Sequence, residues 1–168
     1  TIEIKKYDAL GIGCGIGQAP ETRTALRTLL QTIHACSDTP RLILDADALN
    51  IIASEPDLFA FLPPKTILTP HPKEFERLVA HLSLDTKTDE QRHQAQLRLA
   101  QRYNLIVVLK GAHTCTALPD GRSYYNTTGN PGMAKGGSGD ALTGVILAQL
   151  AQGYTPDIAA ILGVYMHG

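Results

Sequence analysis

Strand-like and helical runs alternate from Tyr7 to Leu109, the run Leu105–Leu109 is apolar throughout, and the loops with unusual residues all follow strands. Together these observations predict an α/β fold with a mostly parallel sheet. In such a fold the loops leaving the carboxyl ends of the strands lie along one sheet edge, where open α/β sheets take their ligands.

The first strand, Tyr7–Ile12, runs into GIGCGIGQ. Glycines at 11, 13, 15 and 17 suggest a dinucleotide fingerprint, but the spacing fails. Counting from Gly11 the third glycine would fall at Ile16, and from Gly13 at Gln18. What remains is a strand-to-helix turn that either admits a ligand to the backbone or simply packs tightly. Pro20 suits the first position of a helix, where a missing N–H is harmless. Leu26, Leu29, Leu30 and Ile33 then recur on one helical face, and Pro40 is read as the stop. RLILDADALN (41–50) reads as a strand ending in Asp45 and Asp47. At a period of two these carboxylates would share a face and could hold a metal. Alternatively one of them caps a helix starting near Ala48, so one is expected to be structural and the other near the site.

Thr66–Thr69 is a short strand, and Pro70 and Pro72 bracket His71. A residue before proline is biased away from the α region, so His71 is expected extended at a helix entrance, facing the crevice. Glu74 fits an acidic first turn. Thr88 and Gln91 form a capping box before a polar run whose thin apolar content, Ala95 and Leu99, predicts a surface helix. The buried strand Leu105–Leu109 exits into Lys110-Gly-Ala-His-Thr114. Thr114–Leu118 and Arg122–Tyr125, joined by Pro119-Asp-Gly121, read as a β-hairpin.

The hairpin delivers the chain to NTTGNPGMAKGGSGDALTGVILAQ (126–149), where glycines at 129, 132, 136, 137 and 139 lead to Asp140 and an apolar helical run. A glycine-rich loop ahead of a helix N-terminus gathers N–H groups and the positive end of the helix dipole, which makes an anion site suited to phosphate. It is not a Walker A loop, because no Lys-Ser or Lys-Thr pair follows the glycines. Asp140 either caps the helix or acts as a base beside the phosphate.

Composition narrows the function classes. With 168 residues, 43% hydrophobic and 18% charged, and a net charge of −1, the chain suits one globular domain and lacks the basic stripe of a nucleic-acid binder. No run approaches the length of a membrane span, and TIEIKK is not a signal peptide. Cys14, Cys36 and Cys115 form no CxxC pair, so a reducing, cytoplasmic setting is expected. The absence of a starting Met, and the close on ILGVYMHG within an apolar helix, lead us to expect part of a larger domain.

LDADALN (44–50), LTPHPKEFERL (68–78), VLKGAHT (108–114) and TGNPGMAKGGSGDALTGVI (128–146) resemble the ADP/ATP-dependent NAD(P)H-hydrate dehydratase family in order and spacing, nearly throughout the chain from Asp8 onward. The resemblance implies a ribokinase-like three-layer α/β/α fold with a mostly parallel sheet, incomplete at both ends, with residues 1–168 forming one partial domain. It implies repair of hydrated NADH or NADPH (NADHX, NADPHX) with ADP or ATP, with Mg²⁺ brought by the phosphates rather than by a protein cage, in a homo-oligomer. By the same resemblance Asp140 is catalytic and contacts the hydrate, His71 and Gly17 bind the hydrate, and Lys110, Gly111, Ala112, His113, Thr114, Asn130 and Gly139 bind the nucleotide. Cys14 stands where members often have Pro. Two other readings stay open: a vitamin-precursor or sugar kinase of the same fold, and a nucleotide-binding domain without catalysis.

Overall fold

The structure is a computed structural model that describes residues 4–133 and 135–168. Thr1–Glu3 of the opening run and Ala134 of the glycine loop lie outside the described residues.

A strand forms at Ala9–Ile12 (β1), and Pro20 then opens a helix, Pro20–His34 (α1), at its first position. The face predicted for α1 is the buried one, with Leu26, Leu30 and Ile33 inside. The helix ends at His34, well before Pro40, and the Ala35 N–H closes its last turn onto the Gln31 carbonyl. Strand Arg41–Leu44 (β2) gives way at once to a helix, Ala46–Ser54 (α2). Asp45 and Asp47 therefore do not share a strand face, because the strand stops at Leu44. Asp45 is the N-cap of α2 and Asp47 lies in its first turn.

Ile67–Leu68 (β3) precedes Pro72–Val79 (α3), and Asp89–Tyr103 (α4) begins at the predicted Thr88–Gln91 capping box. Ile106–Leu109 (β4) is buried along its length. Cys115–Ala117 (β5) and Ser123–Tyr125 (β6) form the predicted antiparallel hairpin. Two further helices, Ser138–Ala151 (α5) and Pro156–His167 (α6), complete the described chain.

The six strands lie in the order β1-β2-β3-β4-β5-β6, parallel through β4 and antiparallel thereafter. Parallel crossovers are right-handed, so a sheet that grows in one direction keeps its crossover helices on one face. The core divides accordingly. Leu42, Leu44, Leu68, Val107 and Leu109 face one way, into a cluster with residues of α1–α4. Ile43, Ile67, Ile106 and Val108 alternate to the other face and pack under α5 and α6. Each fully buried Leu or Ile contributes about 1.5–3 kcal/mol relative to exposure. The result is the expected three-layer α/β/α arrangement. Among the described residues no helix is long and apolar enough to cross a membrane.

Candidate active site

The carboxyl ends of β2, β3 and β4 and the start of α5 converge on one cavity of about 780 Å³. Asp45, His71, Lys110, Gly111, Ala112, Thr114, Asn130, Gly139 and Asp140 all line it, which puts most of the predicted residues on one wall system. His113 and Gly17 are not among its lining residues. His113 is exposed at the tip of a loop that Thr114 closes on itself, its hydroxyl donating to the Gly111 carbonyl. Gly17 donates its N–H to Asp47 Oδ2 at 2.9 Å, so that amide is already committed.

Asp140 is not the cap of its helix. The N-cap is Gly137, with φ 87° and no side-chain cap bond, and α5 is already under way at Ser138. That leaves the exposed Asp140 carboxylate in the first turn, three residues past the cap, with capping removed as its explanation. The Ser138 N–H goes to the Lys135 carbonyl and the Ala141 N–H to the Gly137 carbonyl. The amides of Gly139 and Asp140 have no backbone acceptor among the described residues, and they are the donors a phosphate would meet.

His71 is held as the two prolines require, extended at φ −80°, ψ 167°. Its Nδ1 accepts the N–H groups of Lys73 (3.1 Å) and Glu74 (3.3 Å), so the ring proton resides on Nε2, 3.4 Å from Glu74 Oε1. Glu74 is more than a surface first-turn acid. It is buried, and its Oε2 accepts the His71 N–H, completing a capping box. Asn130 uses its side-chain oxygen to accept the Gly132 N–H, so part of its role is to shape the loop. Ahead of it, Thr128 Oγ1 donates to the Tyr165 carbonyl and Asn126 Nδ2 to the Val164 carbonyl, which ties the loop to the last turn of α6.

Asp45, expected to be either structural or near the site, is both. It is 1% exposed, its Oδ1 accepts from Lys110 Nζ at 2.8 Å, and its Oδ2 accepts from Thr143 Oγ1 at 2.8 Å. The turn glycines divide the same way. A Cβ on Gly13, whose φ is 135°, would collide with the Asp45 carbonyl oxygen, so that position is tight packing. Gly15 and Gly17 have open space where a Cβ would point. Cys14 sits between the two acids, and its thiol is pushed up to about 11 by partial burial, a hydrogen bond to Asp140 and the nearby carboxylate charges.

The thiol and one oxygen from each of Asp45 and Asp140 lie within 4.8 Å of one another. This group suits Mg²⁺ poorly as a set, because a thiol is too soft for that ion and Asp45 is already neutralised by Lys110. Thr143 and the α6 contributions, Val164, His167 and Gly168, were not singled out from the sequence. Their one advance signal was membership of the apolar runs behind the glycine loop.

The family model described as NAD(P)H-hydrate dehydratase matches residues 2–168. The chain is 39% identical over 165 residues to a bifunctional NAD(P)H-hydrate repair enzyme of Moorella thermoacetica, covering 98% of this chain and 30% of that protein. It superimposes with a TM-score of 0.72 and 36% identity on ADP/ATP-dependent NAD(P)H-hydrate dehydratase from Bacillus subtilis, co-crystallised with ATP and Mg²⁺, covering 96% of this chain and 55% of that one. A ribokinase-like superfamily protein from Enterococcus faecalis matches with a TM-score of 0.78 and 32% identity, over 98% of this chain and 54% of that one. The chain thus spans about half of these solved chains and less than a third of the Moorella protein.

Proposed function

The chain belongs to the NAD(P)H-hydrate dehydratase family, and from that premise we propose that it uses the terminal phosphate of ADP or ATP to dehydrate NADHX or NADPHX, returning NADH or NADPH. The observation that carries the reading is the single cavity in which the glycine loop, Lys110, His71 and Asp140 meet. A phosphate-binding loop beside an exposed carboxylate suits the transfer of a phosphoryl group to a hydroxyl.

In this reading Asp140 accepts the proton of the hydrate's hydroxyl as that oxygen attacks the terminal phosphorus. The bond to the rest of the nucleotide breaks, leaving AMP from ADP or ADP from ATP. The carbon–oxygen bond then breaks with its electrons leaving on inorganic phosphate. A proton departs from the adjacent ring carbon, and the ring double bond returns. General-base help contributes about 10²–10⁴-fold. The amides of Gly139 and Asp140 and the Lys110 ammonium meet the phosphoryl charge, and His71 offers its Nε2 proton to the hydrate. Mg²⁺ would neutralise phosphate charge when bound. It would come with the nucleotide, and of the three clustered side chains Asp140 is the one suited to hold it.

The test is to supply prepared NADH hydrate with ADP or ATP and follow the return of NADH absorbance. Wild type is expected to restore it. Asp140→Asn is expected to lose turnover while nucleotide affinity stays largely intact. No recovery of absorbance, alongside phosphorylation of an added alcohol, would replace the dehydratase reading with that of a kinase.

A further inference from the structure

Asp45 is a buried carboxylate whose partners Lys110 and Thr143 lie 65 and 98 positions away, and the proposed chemistry gives it no step. Its two oxygens are fully directed. Oδ1 accepts from the Ala46 N–H and from Lys110 Nζ, each at 2.8 Å, and Oδ2 accepts from Thr143 Oγ1 at 2.8 Å. A cap needs only the first of these. The backbone is unusual at the same point, because Ala46 has φ 47°, in the left-handed region a non-glycine residue rarely adopts. Such outliers cluster where the surroundings force a functional geometry.

Lys110 shows what that geometry is for. Its Nζ lies 3.1 Å from where a Cβ on Gly139 would stand, directly against the first turn of α5. The ammonium therefore stands against the N-terminal turn of α5, where a phosphate would bind. Thr143, one turn further along α5, holds the same carboxylate from the other side. The end of β2, the end of β4 and the start of α5 are thus fixed to one another through a single side chain.

We propose that Asp45 is a positioning residue: the buried counter-ion that fixes the Lys110 ammonium against the α5 N-terminus, so that it meets the nucleotide phosphates in one place. This goes beyond the family resemblance, in which Asp45 has no assigned role, and rests on the proposed function only for where the phosphates bind. A consequence follows from the burial. With Lys110 removed, Asp45 becomes an unpaired buried carboxylate facing an anion site, so the loss exceeds that of one attractive charge.

The test is a cycle of ADP affinities by titration calorimetry for wild type, Lys110→Met, Asp45→Asn and the double variant. Lys110→Met is expected to weaken ADP binding by about 30-fold or more, and adding Asp45→Asn is expected to recover about fivefold or more of that loss. A double variant as weak as Lys110→Met, or weaker, would reduce Asp45 to a helix cap and overturn the proposal. In turnover, Asp45→Asn alone is expected to lower kcat about tenfold without weakening ADP binding, because a freed ammonium stays cationic but loses its place. An unchanged kcat would also contradict the proposal.

Should Asp45→Asn fail to fold, Thr143→Val keeps both charges and loosens only the carboxylate. It is expected to lower kcat severalfold in the wild-type background and to leave the residual kcat of Lys110→Met unchanged, and equal losses in both backgrounds would overturn the proposal. Wild type that binds ADP but does not restore NADH would count against the dehydratase reading, and the binding cycle would still decide the role of Asp45.

Discussion

At His71 one imidazole does two jobs on its two ring nitrogens. Nδ1 caps α3 by accepting the N–H groups of Lys73 and Glu74, and Nε2 carries the ring proton, 3.4 Å from Glu74 Oε1, on a residue that lines the cavity. The jobs separate by substitution. His71→Asn keeps a good cap and removes the Nε2 donor, so its stability should stay within about 0.5 kcal/mol of wild type while hydrate binding weakens. His71→Ala should lose the same binding and in addition about 1 kcal/mol of stability. Equal KM values for hydrate in all three proteins would assign His71 to capping alone. Cys14 offers a second check at this scale. Burial and the neighbouring carboxylates push its thiol up to about 11, so the folded state holds this proton more tightly than the unfolded chain does. The associated stabilisation is complete at neutral pH and fades as pH rises from the ordinary thiol range through that value. Alkylation of Cys14 at pH 8 should accordingly run roughly 100-fold slower than that of an unperturbed thiol, although the residue is exposed. Modification at the ordinary rate would show that burial and the neighbouring carboxylates do not hold the thiol protonated.

Among the elements, α4 departs furthest from its expected character as a surface helix. Gln96 is fully buried, and its Nε2 donates at 2.8 Å to both the Val107 and Cys115 carbonyls, joining β4 to β5 across the base of the 110–114 loop. Gln96→Leu should lower the urea midpoint, with unchanged slope, by an amount worth about 1–3 kcal/mol. Amides of residues 110–115 should also exchange faster. An unchanged midpoint would mean that the hairpin holds the loop unaided. Nothing in the sequence marked Gln96, because a buried glutamine in a polar run looks like its exposed neighbours. The helix starts at Pro20, Pro72 and Thr88 were legible because capping and proline chemistry are local. The end of β2 was not, since LDADALN suits a strand end and a helix start equally well, and only the Asp45 contacts with Lys110 and Thr143, made across 65 and 98 positions, decide between them.

For the whole molecule, strand order does most of the positioning. A sheet growing in one direction puts the crossover helices on one face, leaves the other face to α5 and α6, and sends each loop after β1–β4 to the same edge. The alternation of strands and helices made that much readable, and with it the gathering of His71, Lys110 and Asp140. The far wall of the cavity was not readable. Val164, His167 and Gly168 reach it as α6 packs on α5 and as Asn126 and Thr128 tie the loop to α6, contacts that no local pattern encodes. In the proposed reaction the nucleotide turns the hydroxyl of the hydrate into a phosphate leaving group. Hydrate carrying ¹⁸O in that hydroxyl, turned over with ADP or ATP in unlabelled water, tests this most directly by mass spectrometry of the released phosphate. The label is predicted in inorganic phosphate, one atom for each NADH or NADPH formed. Label found in water, with unlabelled phosphate, would contradict it.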